Sequence, residues 1–306
     1  MDDGPFRFEK LILHLYGIET VHLQDASDGP AVQIPTDEQS SYHERKIFYE
    51  ELILNISSEQ FKEKSLPAGI TSFKFRCVLG STTPGSMAFA TTATGNRVSA
   101  RLHYEFVADL TSPGLFTSSQ RLSRTALEYR QLPMTACTPV QVIADATIGK
   151  PWLRYLLCMP SLDADNVEIF LGMNCNYYVL NDQIRARLRI FNKSARDIVA
   201  SSISLVRRIV ITAMQKTVTE EHIVTKVELG RVPAHQSIEM RCLLSTPSKS
   251  PFTTKGHLIS CHYELVTRMR PSWSVFSTQH RHPIEIYDLK LPQYMELASI
   301  QMSPIK

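Results

Sequence analysis

Arg185, Arg187 and Arg189 stand at alternate positions, interleaved with Ile184, Ala186, Leu188 and Ile190. A β-strand sends successive side chains to opposite faces, so this spacing puts the guanidiniums on one face and the apolar set on the other. Lys193 and Arg196 follow in what reads as the adjoining turn. A guanidinium fork matches carboxylate and phosphate oxygens, so an acidic peptide tail or an anionic lipid head group is the ligand chemistry this row would take. A solvated outer face with acidic partners on neighbouring strands is the competing reading of the same pattern. Arg207-Arg208 differs, because only one of two adjacent residues can share the outer face of a regular strand; the pair implies a bulge or an edge.

Other residue types lead away from catalysis. His280-x-His282, with His257 and His262, invites a metal reading, but no carboxylate or cysteine stands at a recognised ligand spacing. The six cysteines (Cys77, Cys137, Cys158, Cys175, Cys242, Cys261) form no Cys-x-x-Cys pair and read as buried thiols. No nucleophile elbow, phosphate loop, dinucleotide fingerprint or paired-carboxylate signature is present. No catalytic, cofactor-binding or metal-binding residue is therefore assigned, and the chain reads as non-enzymatic. Asn55-Ile56-Ser57 and Asn192-Lys193-Ser194 match the glycosylation sequon, but no secretion route accompanies them.

Composition narrows the setting. A formal charge of +3 over 306 residues, with both signs interspersed, gives no global field for nucleic acid. Met1-Asp2-Asp3-Gly4-Pro5 is acidic where a secretory leader is basic and then apolar, and no apolar run reaches membrane-spanning length. The expected location is cytoplasmic, with peripheral association to the plasma membrane or endosomes if the arginine row meets lipid.

The elements that must position these residues come from an internal repeat. Leu66-Pro67-Ala68, Phe75-Arg76-Cys77-Val78-Leu79 and His103-Tyr104-Glu105-Phe106-Val107 recur in order as Val232-Pro233-Ala234, Met240-Arg241-Cys242-Leu243-Leu244 and His262-Tyr263-Glu264-Leu265-Val266. The offsets between Pro67 and Pro233, Arg76 and Arg241, and Tyr104 and Tyr263 are 166, 165 and 159 residues, so the spacing shortens only in the loop before the last block. Period-two runs rich in β-branched and aromatic residues, broken by turn-forming stretches, predict two antiparallel sandwiches. Helix is expected only in short pieces, with Gln120–Leu132 the best placed. In a strand the His-Tyr-Glu triplets send His and Glu to one face and Tyr to the other, so duplication explains them without a shared chemistry.

The copies are unequal. Val167–Met173 and Gln183–Phe191 precede the shared region of the second copy, and nothing matches them before Phe6 in the first. The first sandwich is thus expected to lack its initial strands, about 35–40 residues by comparison with the second, and to expose a sheet edge. The expected division is residues 1–145 for the incomplete first sandwich, 150–288 for the second and 289–306 for a flexible tail, with the break between Val142 and Pro151.

Two of these stretches carry a resemblance. Tyr178-Val179-Leu180-Asn181-Asp182-Gln183-Ile184, followed by Ile190-Phe191-Asn192-Lys193-Ser194, resembles the aromatic turn, strand and Asn-x-Ser turn of the arrestin family, more the α-arrestin branch than the visual and β-arrestins. Leu66-Pro67-Ala68-Gly69 leading to Phe73-Lys74-Phe75 is similar to that family's pre-strand turn and Phe-x-Phe strand. The resemblance implies an all-β fold of two tandem arrestin-like, immunoglobulin-like antiparallel sandwiches. It does not extend to the paired lysines or the buried Asp–Arg core of phosphate-triggered arrestins.

The function implied by the likeness is a non-enzymatic adaptor in membrane-protein trafficking, which binds cytoplasmic tails and links them to endocytic or ubiquitination machinery. Leu291-Pro292-Gln293-Tyr294 resembles the Leu-Pro-x-Tyr form of the α-arrestin motif for WW-domain ubiquitin ligases, with Leu291, Pro292 and Tyr294 as the contacting residues. Proline favours the polyproline conformation that docks on aromatic grooves. The alternative is a structural cargo-recognition subunit of a retromer-type coat, whose open strand edge would pair with another subunit. Neither reading calls for a cofactor.

Overall fold

The period-two runs form strands in a computed structural model, which describes residues 6–25, 41–61, 65–66, 71–80, 82–92, 96–111, 119–133, 136–147, 166–249, 251–272 and 277–288. In the first half these are β1 (Phe6–Arg7), β2 (Lys10–Asp25), β3 (Ser41–Ser57), β4 (Ser65–Leu66), β5 (Met87–Thr91), β6 (Asn96–Thr111), β7 (Ser119–Leu127) and β8 (Val140–Thr147). In the second they are β9 (Asn166–Met173), β10 (Tyr177–Val179), β11 (Gln183–Asn192), β12 (Ile198–Ala213), β13 (Lys216–Val232), β14 (Ser237–Ser245), β15 (Thr254–Lys255), β16 (Ile259–Pro271) and β17 (Thr278–Tyr287). A 3-10 turn at Ser58–Gln60 is the single helical element among the described residues.

The repeat seen in the sequence is a repeat of sheet topology. The first half has the order β3-β2-β6, with β5 and β7 sharing the far edge of β6. The second has β13-β12-β16, with β15 and β17 sharing the far edge of β16, and β10 added in parallel outside β17. The repeated triplets have the same work in both copies. Tyr104 and Tyr263 are fully buried, and their hydroxyls donate to the carbonyls of Pro84 (2.5 Å) and Pro251 (2.6 Å), tying each incoming loop to its sheet. Glu105 accepts two bonds from Arg124 on β7 (2.7 and 2.6 Å), and Glu264 accepts one from Arg281 on β17 (2.8 Å). Burial raises the Glu105 carboxyl, but Arg124 and His103 outweigh it and hold the group below the usual carboxylate range.

The halves differ in what covers these sheets. In the second, β14-β11-β9-β8 forms a second layer, with Ile184, Ala186, Leu188 and Ile190 of β11 buried beneath it. The last strand before residue 148, β8, belongs to this layer and runs along β9 from Val140↔Met173 to Thr147↔Asn166. In the first, β1 and β4 pair over two residues only, and 71–80, with Phe75 against Phe106, forms no ladder among the described residues. The all-β class and the antiparallel sandwich plan are as the sequence implies.

One core runs through both halves, from Leu15, Val21 and Leu102 to Ile203, Leu205 and Leu265. Central strand β12 is buried on both faces from Ser201 to Val206, because its second face meets the first half. Arg207 lies over the Phe89 ring at 6.0 Å and beside Glu220 at 3.4 Å, whereas Arg208 faces Glu221. The irregularity implied by this adjacent pair lies between Leu205 and Val206 in the β12–β13 register.

The polar link between the halves is Glu19. Its side chain is buried on β2 and accepts the main-chain N–H groups of His257 (2.8 Å), Leu258 and Ile259 (3.3 Å). A buried carboxylate needs such donors, and a turn with successive free amides supplies them. Gly256 is the close approach that allows it: a Cβ there would sit 2.7 Å from both Glu19 Oε1 and the Ile259 carbonyl. The tip of the β12–β13 hairpin docks nearby, with Met214 N donating to Glu44 at 2.7 Å.

Two expectations are corrected. Gln120–Leu132 is not helical: β7 lies along Tyr104–Thr111 of β6, held by Arg124–Glu105 and Arg121–Asp109. An open edge of β6 offers a ladder that outweighs local helix preference. Nor are all cysteines buried thiols, since Cys137 and Cys175 form a disulfide across a separation of 38 residues. Cys242 and Cys261 are buried thiols, and burial pushes Cys261 up to about 12.

Glu19→Gln keeps the shape but loses the charge on the amide turn. It is expected to cost about 1.5–3 kcal/mol of unfolding free energy, the range for hydrogen bonds to charged groups, read as a lowered urea midpoint at unchanged slope.

Candidate acidic-ligand face

β11 is the strand on which the candidate row stands, and its burial alternates strictly from Gln183 to Ile190. Apolar residues point into the sandwich, so Arg185, Arg187 and Arg189 are forced outward. β11 has a partner on each side, β14 and β9, which puts the row on the middle of an exposed sheet face rather than on an edge.

The flanking strands decide how much of this charge is neutralised. Arg187 lies directly opposite Arg241 on β14 and opposite Gly172 on β9, where the missing side chain leaves the guanidinium open ground. Arg189 lies opposite Glu239 and Phe170, with its guanidinium 5.8 Å from the Phe170 ring centre. Glu239 meets Arg187 at 2.6 Å, and this hydrogen bond is the first reason its carboxyl is held below the usual range. Arg185 lies opposite Leu243. Four arginines thus share this part of the sheet with one carboxylate. Exposed apolar side chains border them, Leu243 on β14 and Ile143 on β8. Such a platform can take an extended or helical segment that is both acidic and apolar, with guanidinium forks on its oxygens.

Lys193 and Arg196 are placed differently from the arginine row. Lys193 is 2.7 Å from Glu168 of β9, whose carboxylate raises its pKa. Arg196 lies in a turn built by Asn192, which is fully buried: its side-chain amide donates to the carbonyls of Arg196 (2.7 Å), Val232 (3.2 Å) and Pro233 (3.1 Å). Ser194 in turn donates to the Asn192 side-chain oxygen at 2.6 Å. The Asn192-Lys193-Ser194 sequon is therefore a structural turn. Leu291, Pro292 and Tyr294 lie outside the described residues.

Arg241 is the residue that sequence reading missed. It stands in the repeated block with Met240 and Cys242, but its place opposite Arg187 depends on the register of two strands more than fifty positions apart, which the alternation within either strand does not encode. Among the described residues no group of three or more His, Cys, Asp or Glu side chains forms a metal-binding arrangement, and no helix is long and apolar enough to cross a membrane.

Layered antiparallel sheets with a charged outer face, and with the His-Tyr-Glu residues used to hold loops and strands, define a β-sandwich protein. Residues 164–291 match the family model described as Arrestin (or S-antigen), C-terminal domain, so this part of the chain is similar to the C-terminal domain of the arrestin family. That is a family of non-enzymatic adaptors. No curated protein matches the chain at a significant level.

Asn192→Ala removes a side chain that satisfies several buried main-chain carbonyls. A loss of about 1–3 kcal/mol is expected from the groups left unpaired, measured by chemical denaturation, with Asn192→Asp no better because it cannot donate.

Proposed function

We propose that this chain is a trafficking adaptor that takes acidic segments of membrane-protein cytoplasmic tails on the β14-β11-β9 face. The observation that carries the reading is the charge imbalance there: Arg185, Arg187, Arg189 and Arg241 share Glu239, while the other carboxylate of the three strands' outer side, Glu168, is taken up by Lys193. Bidentate guanidiniums on a flat, partly apolar sheet favour a ligand with carboxylates or phosphates along an extended chain. The same face would draw the protein to the cytoplasmic leaflet of the plasma membrane or endosomes, where anionic head groups concentrate. Lys193, paired with Glu168, and Arg196 lie at one end of the row.

Downstream, Leu291-Pro292-Gln293-Tyr294 would recruit a WW-domain ubiquitin ligase, with Pro292 in an aromatic groove and Tyr294 in the neighbouring pocket. The family match reaches Leu291, so the motif begins where the matched domain stops.

Reversal of the row tests the face. An R185E/R187E/R189E chain should lose binding to acidic tail peptides, and to vesicles containing phosphatidylserine, by at least about tenfold, with steep salt dependence in the parent. Unchanged binding to both would refute the role of the face. The tail motif has a separate test: Tyr294→Ala should abolish pull-down by a WW domain, and full retention would remove the motif from the proposal.

A further inference from the structure

Residues paired on neighbouring strands point to the same side of a sheet, so the registers of the second layer arrange its outer side chains in rows across the strands. One row is Arg241, Arg187, Gly172 and Gln141, running from β14 through β11 and β9 to β8. Arg185 stands in the row on one side of it. The row on the other side is Glu239, Arg189, Phe170 and Ile143, and beyond it Glu168 faces Asp145. Along the β11–β9–β8 side the surface therefore changes from basic through apolar to acidic.

Each part of this gradient has room for a ligand group. Gly172 leaves a trough beside Arg187 that its backbone does not require. Its φ lies outside the left-handed region, and an added Cβ would meet only Arg187, at the ordinary contact distance of 3.8 Å. Glu239 approaches Arg187 from the β14 side, at 2.6 Å, so the trough on the β9 side is the approach for a second acid. Ile143 is 66% exposed and lies opposite Phe170, which makes an apolar shelf one row further on. Past the shelf, Glu168 and Asp145 would repel another carboxylate, although Lys193 meets Glu168 at 2.7 Å.

We infer that the segment taken by this face carries carboxylates at two alternate positions and a large apolar side chain at the next alternate one, acid-x-acid-x-apolar in either chain direction, with Gly172 and Ile143 setting that specificity. Residues two apart in an extended chain are separated by about 6.6–6.8 Å, which is also the spacing of successive rows on the sheet. The two carboxylates then fall on Arg185 and on Arg187 over the Gly172 trough. The apolar side chain falls on Phe170 and Ile143. The inference rests on the arginine-face reading above and adds to it a register and an apolar contact, which charge alone does not demand.

Fluorescence anisotropy on the full chain tests this with two labelled, capped nine-residue peptides of Gly and Ser. One contains Glu-Ser-Glu-Ser-Leu; its isomer contains Glu-Ser-Glu-Leu-Ser, which has the same charge and composition but turns leucine to the opposite side. The first should bind at least about fivefold more tightly, the gain from partial burial of one leucine side chain. Ile143→Ser should remove that difference and leave the isomer unaffected. Gly172→Val suits a strand but fills the trough, and it should weaken the first peptide by a similar factor at an unchanged urea midpoint. Equal binding of the two isomers, or an undiminished preference in both variants, would overturn the inference and leave the arginine face standing. Retention of both peptides by the R185E/R187E/R189E chain, or binding of neither by the parent, would remove the face itself and this inference with it.

Discussion

A sheet with one apolar face must have that face covered, and this constraint organises the chain. In the second half the cover is a full layer, β14-β11-β9-β8, and the side chains between the layers are almost entirely withdrawn from water. Among the described residues of the first half, segment 71–80 and the short β1–β4 pair are what packs on the corresponding sheet. The second half makes up part of the difference. Leu15, Val21, Leu23 and Leu102 belong to the same core cluster as β12 and β16, so the first sheet is buried in part against its own duplicate. At about 25 cal/mol for each Å² of apolar surface removed from water, a shared core of this kind is a strong reason for the halves to remain associated.

Association of this sort demands that polar groups caught between the halves find partners. Glu19 does so through the amides of His257, Leu258 and Ile259, and Thr254 through the carbonyl of Gly85 at 3.1 Å. Both contacts put a side chain of one half on the main chain of the other. Main-chain groups are fixed by the sheets that carry them, so these bonds set the relative position of the halves more tightly than paired flexible side chains would. Gly85 and Gly256 are the places where a side chain would collide, with Phe252 in one case and Glu19 in the other.

Much of this plan is legible in the sequence because it is periodic. Alternation along Gln183–Phe191 and Asn166–Met173 marks strands whose faces are settled by burial, and recurrence of Phe75–Leu79 as Met240–Leu244 marks the duplication. What is not legible is non-local. The register that sets Arg241 against Arg187 joins strands distant in sequence, and the partner of Cys137 is Cys175, distant in sequence and close only in the fold. Gln120–Leu127 is a strand because β6 presents a free edge there, and nothing within those residues states that. The glycosylation-like triplet at Asn192 is read correctly only when its amide is seen among three carbonyls.

The arginine face is distinguished by the way charge is handled elsewhere in the same molecule. Arg124 is held by Glu105, Arg281 by Glu221 and Glu264, Arg207 by Glu220, Arg130 by Asp288 and Arg231 by Asp197. In each case a carboxylate stands opposite the cation, so these pairs fix strands and turns and leave little field outside the protein. On β11 and β14 the pattern breaks, because Arg187 faces Arg241 across the ladder and a single carboxylate serves the group. Like charges directly opposite each other on neighbouring strands oppose pairing, and the apolar faces beneath them, Ile184 to Ile190 and Cys242 to Leu244, carry that cost. A local arrangement that works against folding is the kind of feature the proposed ligand face would show. The fold supplies the rigid platform, and the function has to be argued from the charges placed on it.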